Sequence, residues 1–555
     1  MTTQHTGGAA RIRGELPLAP EATSRAADLA LRNSVEIDTG TGVLEYVTRR
    51  AESDPGRPAI TEGDLTLSYR ALLERVTGVR TSLLAQGLGA GEVVATVGPR
   101  STDTLVVFLA LESIGASYLP IDPDWPEERV RYVLGRSRSA LLLDYAATES
   151  DSRTARAAAV AEQTEVLRLS ELGGTGGLPP MDVSDRSQEI RYTIFTSGTT
   201  GRPKGATVEH QGMLNHLWAK VADLALDADD VLAFTAPLVF DISIWQMLCP
   251  LLVGGHVVVV DDADMRFPRR LVKTLERTGV TVVELVPTVV GWLVDETCRP
   301  GGAELNGLRR LLSTGEELRP ATAARVLEAL PHVSLINAYG PTECSDDVTH
   351  HVVTRADIAR PRLPVGSPIA NTVLYLLVQG ENGTWRAAEP GEPGELFVGG
   401  TGVGLGYLND PETTTRAFFH DPFDPASPTR RLYRTGDLAC FDEGFVQYLG
   451  RSDRQVKVAG VRMELDEIEV ALSRHPGIEN CAVTVSGDGD RPELVAHYSP
   501  RGPVAPKELE EALRAAVPPA MVPRQWREWD QLPLTHNGKV DHRSLRAAVD
   551  QEGAR

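Results

Sequence analysis

Residues Tyr192–Gly205 read YTIFTSGTTGRPKG. An apolar, strand-like run enters a turn of threonine, serine and glycine and leaves it with Lys204. Glycines let backbone N–H groups approach phosphate oxygens closely. The hydroxyls of Thr196, Ser197, Thr199 and Thr200 add donors around Gly198 and Gly201, and Lys204 adds charge. The Walker arrangement is absent, because no Gly-Lys-Ser/Thr opens a helix here. A Gly/Thr-rich stretch alone reads as a surface turn. Two hydroxyl pairs bounded by glycine and followed by Pro-Lys-Gly read as a phosphate cradle.

Outward from this loop the pattern alternates. Apolar runs such as Val93–Val97, Val257–Val260 and Val280–Val286 read as buried strands, and Tyr69–Gln86 and Arg269–Arg277 have helical period. Buried strands alternating with helices predict an α/β chain with mainly parallel sheets. Gly380–Pro393 predicts a hairpin or loop before the run Gly394–Val398, and Asp421–Thr429, with three prolines, predicts an irregular loop. The character changes after Gly450, where charge is dense. The expected organisation is a flexible leader over 1–40, with one short helix near Ser24–Arg32, and a large core with a β subdomain over 41–450. A hinge over 451–455, a small mobile α+β domain over 456–546 and a tail over 547–555 follow.

The chain has 555 residues, too many for one ordinary core, so at least two domains are expected. Its formal net charge of −20 argues against nucleic acid or an anionic membrane as partner. The five cysteines form no CxxC pair, which points to neither zinc nor a disulfide framework. No apolar run reaches the roughly 18 residues of a membrane span, and no signal-peptide core is evident. A reduced, cytoplasmic chain is the expectation.

Further motifs follow in order: GASYLPIDPDWPEER within Leu109–Tyr132, NAYGPTE at Asn337–Glu343, GELFVGGTGVGLGY at Gly394–Tyr407, YRTGD at Tyr433–Asp437, GRSDRQVKVAGVRME at Gly450–Glu464 and NGKVDHRSL at Asn537–Leu545. With the phosphate loop, this series resembles the adenylate-forming superfamily over about residues 44–546. Within that superfamily it is similar to stand-alone adenylation domains of nonribosomal peptide synthesis.

The resemblance implies ATP and Mg²⁺ as cofactors and an acyl-adenylate as product. Asn337 and Tyr339 would hold the adenine, with Ala338 and Gly340 also in the cofactor site, Thr342 would touch a phosphate, and Glu343 would hold the metal. Asp437 would accept the ribose hydroxyls, and Arg451 would contact ribose or phosphate. Lys539 would be the mobile catalytic lysine and Asp453 the hinge, with the face containing Gly460 presented in the alternative orientation for thiol attack. These residue types suit the chemistry. A carboxylate oxygen attacks the α-phosphorus, so two anions must meet, which calls for positioning and positive charge rather than a covalent nucleophile.

Asp241, in FDISIWQ, matches the position that binds an α-ammonium in the peptide-synthetase branch. An acyl-CoA-type ligase has no ammonium to pair there, and an unpaired buried carboxylate is costly. By the same matching, Ile242, Trp245, Glu284, Leu312, Thr314, Ala338, Asp346 and Asp347 line the substrate pocket, with Lys539 completing it. Three acids beyond Asp241 call for a cationic side chain, and Trp245 for a short one. The expected substrate is 2,4-diaminobutyrate, with ornithine- or lysine-type acids as alternatives. No carrier segment follows Leu545, so a separate carrier protein is expected to receive the product. An MbtH-like activator is a partner of many such domains. The competing classes are an acyl-CoA-type ligase and an inactive scaffold. Retention of Lys204, Glu343, Asp437 and Lys539 together argues against the scaffold.

Overall fold

The β-branched runs of the sequence form parallel strands whose crossovers are helices. The computed structural model describes residues 14–173, 185–198, 202–452, 454–487, 492–534 and 540–553. Among these, a nine-stranded sheet has a central parallel run: His256–Val259, Val231–Phe234, Val282–Leu285, Arg310–Ser313 and Ser334–Tyr339. Thr349–Val352 and Ser367–Pro368 extend it antiparallel. A seven-stranded sheet is built around Val93–Val97 and Ser117–Ile121 and includes the antiparallel hairpin Ile190–Thr196/Lys204–Glu209, with Gly406–Tyr407 pairing along its outer edge. That hairpin carries the phosphate loop.

One core joins the two sheets. Helix Thr102–Ser113 is buried on nearly every face, as expected of a helix apolar all round. Leu105–Leu111 of that helix and Leu248 and Leu251 of helix Ile242–Val253 share a cluster with Ile60, Phe234 and Val257 of the larger sheet and Val94 and Tyr118 of the smaller one. The helix expected at Tyr69–Gln86 spans Tyr69–Ala85, capped where Ser68 accepts from the Ala71 N–H at 3.3 Å. The one expected at Arg269–Arg277 spans Pro268–Thr278, opening on a proline and closing at Gly279.

A third sheet is antiparallel and forms the β subdomain, with Thr372–Gln379, Gly394–Gly400, Arg431–Asp442 and Phe445–Arg451 among its strands. Thr372–Gln379 and Trp385–Ala387 make the hairpin expected around Gly380. The short helix expected near Ser24–Arg32 is present as Ala22–Leu29, but residues 14–33 are docked rather than loose. Helix Ala22–Leu29 and strand Leu31–Asn33 dock on this sheet, the strand pairing with Thr372–Leu374, and Leu16 and Ala26 are buried against Trp385 and Phe397. The sparse apolar residues of a Thr/Ala/Pro-rich segment are thus enough to fix residues 14–33, because the sheet offers an apolar face and a free edge.

C-terminal to the antiparallel sheet, the two-stranded hairpin Gln455–Val458/Val461–Glu464, helix Leu465–Ser473 and a three-stranded sheet form a smaller unit with its own core around Met463, Ile468, Val483 and Leu509. Among the described residues, no helix is long and apolar enough to cross a membrane.

Candidate active site

The site lies at the carboxyl ends of the parallel strands, where open α/β sheets bind ligands. Register carries it from strand to strand: Glu284 lies beside Leu312, Leu312 beside Ile336, and Ser313 beside Asn337. Thr314, Asn337, Ala338 and Tyr339 therefore converge at one edge of a cavity of about 520 Å³. Asp241, Ile242, Gly340, Thr342, Asp346, Asp437 and Arg451 also border it. Glu284, Leu312, Trp245 and Asp347 are buried behind these residues. Thr199, Thr200, Gly201, Asp453 and Lys539 lie outside the described residues.

The turn after Tyr339 is unusually tight. A side-chain Cβ at Gly340 would stand 2.0 Å from the Asp346 carbonyl oxygen, so only glycine fits. Ser345 and Asp346 have φ of 68° and 88°. Such left-handed conformations in non-glycine residues persist only where surrounding structure holds them, and they cluster at binding sites. At the phosphate loop, a Cβ at Gly198 would meet the Arg202 carbonyl oxygen at 2.1 Å. Gly198 and Lys204 border an adjoining cavity of about 460 Å³, and Arg451 and Arg462 border both cavities.

Glu343 is almost wholly buried. Its Oε1 accepts from the Tyr407 hydroxyl at 2.7 Å and lies 3.3 Å from Lys204 Nζ, and its Oε2 accepts from Arg462 at 2.9 Å. Burial alone would raise this carboxyl, but Arg462 and Lys204 overcome it and hold the group well below the ordinary range. Glu343 is therefore a fixed carboxylate, the hard oxygen donor that Mg²⁺ prefers. Asp437 accepts from the Tyr339 hydroxyl at 2.6 Å and from Arg451 at 2.7 Å, which leaves lone pairs on both oxygens for further donors. Asn337 donates to the Pro364 carbonyl at 2.8 Å, and Thr314 to the Ala338 carbonyl at 3.2 Å. Those bonds fix the strand ends.

Asp241 caps helix Ile242–Val253, accepting from the Ile242 N–H at 3.0 Å. Burial raises its carboxyl against a hydrogen bond from Thr342. Among the described residues, no cation stands within ion-pair distance of it.

The acids behind the cavity depart from the sequence expectation. That expectation has all of them awaiting a cation from outside, yet the chain supplies one. Lys220, fully buried on helix His210–Leu224, places its Nζ 2.5 Å from Asp347 Oδ2, 3.5 Å from Glu284 Oε1 and 4.5 Å from the centre of the Trp245 ring. Trp245 donates its indole N–H to Glu284 Oε2 at 2.5 Å, so it shores up the acids rather than bordering the cavity. Asp347 also accepts from the Thr314 hydroxyl at 3.3 Å. Asp346 differs: its Oδ2 is buried, has no hydrogen-bond partner and lies 3.7 Å from His216 Nε2. The smaller unit closes the site from above. The Gly460 N–H donates to Glu316 Oε1 at 2.8 Å, and Ser197 donates to the Arg462 carbonyl at 3.1 Å. Lys220, His216, Arg462 and Tyr407 are site residues that the sequence reading does not single out.

The family described as AMP-binding enzyme matches residues 47–408, and its C-terminal domain matches residues 467–539. Phosphinothricin tripeptide synthetase PhsB of Streptomyces viridochromogenes is 35% identical over 517 residues, covering 90% of this chain and 41% of that protein. Malpibaldin synthetase of Mortierella alpina is 36% identical over 500 residues, 88% of this chain and 9% of that one. The chain thus spans well under half the length of these relatives. A solved nonribosomal peptide synthetase protein with adenylation and PCP domains, PA1221 bound to a vinylsulfonamide inhibitor, superposes with a TM-score of 0.80 at 28% identity, covering 92% of this chain and 84% of that one.

Proposed function

Since the chain belongs to the AMP-binding enzyme family of adenylate-forming ligases, we propose that it activates a cationic α-amino acid with ATP and then passes the aminoacyl group to a carrier protein's thiol. The first reaction joins a carboxylate oxygen to the α-phosphorus and releases pyrophosphate. The second exchanges the acyl–O bond for a thioester and releases AMP.

The observation that carries this reading is Asp241: a buried carboxylate at the cavity wall, ion-paired to no side chain among the described residues. Such a group is costly to bury unless a ligand cation completes it. An α-ammonium does so and leaves the amino acid's carboxylate directed toward Thr342 and Glu343. ATP would supply the electrophilic phosphorus, and Glu343 would hold Mg²⁺, whose charge would offset that of the phosphates. Lys204 and the loop from Thr196 would receive the phosphates. Tyr339 presents a ring for the adenine and Asp437 a carboxylate for the ribose. Lys539, by its motif, would add positive charge between the reacting anions.

Glu343 already holds Arg462 in the present arrangement. Glu343 would hold Mg²⁺, and withdrawal of Arg462, on the hairpin Gln455–Val458/Val461–Glu464, would free the Oε2 side of that carboxylate for it. The docked Gly460 face suits the thiol-transfer half of the cycle, and adenylation would use a different orientation. Asp346 at the cavity wall favours a side-chain cation, with 2,4-diaminobutyrate first and ornithine or lysine after it. A cytoplasmic setting, where ATP is supplied, accords with this chemistry.

The test is exchange of labelled pyrophosphate into ATP, driven by amino acids and by the matching acids that lack the α-amino group. Exchange should require the α-amino group. Equal exchange with a des-amino acid would favour acyl-CoA-type chemistry, and no exchange with any acid would favour a scaffold.

A further inference from the structure

Four buried charged side chains meet at the inner end of the pocket: Lys220, Glu284, Asp346 and Asp347. They are not equivalent. Asp347 is 2.5 Å from the Lys220 ammonium, and Glu284 is 3.5 Å from it while also accepting from Trp245. The ammonium rests on the Trp245 face, an arrangement that stabilises a desolvated cation. Burial would lower Lys220, but Asp347 and Glu284 outweigh it and hold the ammonium above its ordinary value. Asp346 has none of this. Its Oδ2 is without a partner and it borders the cavity, whereas Glu284 and Asp347 do not. Buried polar groups in native proteins are nearly always partnered, so an orphan carboxylate oxygen at a cavity wall marks where a ligand donor goes.

We propose that Lys220 is a specificity-determining residue: it is the resident counter-ion of Glu284 and Asp347, and it leaves Asp346 as the one carboxylate that reads a substrate's side-chain cation. The inference rests on the amino-acid-activating reading above and deepens it. Glu284 Oε1 also accepts no hydrogen bond, but it lies 3.5 Å from the Lys220 ammonium and away from the cavity, so of the three acids only Asp346 faces the cavity, and Lys220 stands where the ammonium of a longer diamino acid would otherwise lie. Selection for a short side chain therefore comes from a charge already in place. His216, Asp346 and Asp347 also present ligand atoms within 4.8 Å of one another, a spacing a metal ion could use. The Lys220 ammonium on Asp347 already supplies positive charge there, which disfavours a metal.

The test uses the full chain and pyrophosphate exchange with 2,4-diaminobutyrate, lysine and the neutral 2-aminobutyrate. In Asp346→Asn the preference for diaminobutyrate over 2-aminobutyrate should fall by about 100-fold or more, because sites built around a polar contact owe their selectivity to it. Asp347→Asn should change that preference by less than about 10-fold. Lys220→Ala removes the resident cation and leaves space beside two acids. Lysine should gain on diaminobutyrate by about 10-fold or more, and added propylammonium should reverse the gain, a response that merely structural damage cannot give. If Asp347→Asn erased the charge preference while Asp346→Asn kept it, Lys220 would not be the resident counter-ion. The Asp346/Asp347 comparison decides the matter even if Lys220→Ala does not fold. A wild-type protein that exchanges with no amino acid, or that favours neutral ones, overturns the reading of the site and this inference with it. A wild type that favours diaminobutyrate while Asp346→Asn leaves that preference intact overturns this inference alone.

Discussion

Asp346 is held at φ 88° with a carboxyl that burial, then Asp347 and Asp241, push well above the usual range. The other groups facing it are Lys220, which pulls it down, Glu284, which pushes it up, and His216, kept neutral mainly by burial. The sign of the resulting pH dependence is definite. Protonated Asp346 is neutral and cannot pair a cation, so affinity for a cationic side chain is lost as pH falls through its raised value. Asp241 is raised too, but it faces every α-ammonium alike. The ratio of kcat/KM for 2,4-diaminobutyrate to that for 2-aminobutyrate should therefore climb with pH in the wild type and stay flat in Asp346→Asn. A flat wild-type ratio would mean that Asp346 does not read the charge. At this scale the acids of the pocket are legible in the sequence, but their pairing with Lys220 is not. Lys220 follows Leu217 by three residues and precedes Leu224 by four, so it sits in an apolar helical stripe. A lysine on a buried face is rare unless paired, and that was the available signal. Its partners Glu284 and Asp347 lie 64 and 127 residues downstream, beyond the reach of local periodicity.

At the scale of elements, the strand ends and the turns after them determine the site. The turn from Gly340 to Asp347 folds back so closely that the Asp346 carbonyl occupies the place of a Cβ on Gly340. Gly340→Ala should therefore displace the segment bearing Glu343 and Asp346 together. The overpacking cost is on the order of 1–3 kcal/mol, seen as a lower Tm, and KM should rise for both ATP and the amino acid. A rise in only one KM would show that the turn does not couple the two sites. The central strands and helices were legible because valine-rich runs and 3.6-residue periods are local signals. Boundaries moved by one or two residues, as with Val282–Leu285 for the run Val280–Val286. The docking of residues 14–33 was not legible, since it depends on the free edge at Thr372–Leu374, more than 300 residues away in the chain.

For the whole molecule, the orientation of the smaller unit is fastened by contacts between distant motifs. Arg129, in the segment GASYLPIDPDWPEER, pairs with Glu467 of helix Leu465–Ser473 at 2.7 Å, both side chains about 95% buried, and its guanidinium stacks 4.9 Å from the Trp125 ring centre. Removing one partner of such a pair leaves an uncompensated buried charge and is strongly destabilising, about 3–5 kcal/mol. That cost falls only on the orientation in which the two meet. Glu467→Gln should slow aminoacyl transfer to a carrier thiol by about 10-fold or more while leaving pyrophosphate exchange within about threefold. Equal losses in both half-reactions would show that the pair supports the fold rather than one orientation. The order of motifs made the two-part organisation readable from sequence, whereas this latch depends on two surfaces meeting 338 residues apart.

The central claim is that this chain adenylates an amino acid whose side chain carries one positive charge. The most direct measurement is kcat/KM in pyrophosphate exchange for 2,4-diaminobutyrate against 2-aminobutyrate, which matches it in carbon skeleton and lacks only the terminal ammonium. Leaving Asp346 unpaired should reject the neutral acid by about 10⁴-fold, the scale seen where a site is built around a polar contact. Equal values for the two acids, or a preference for the neutral one, would contradict the account.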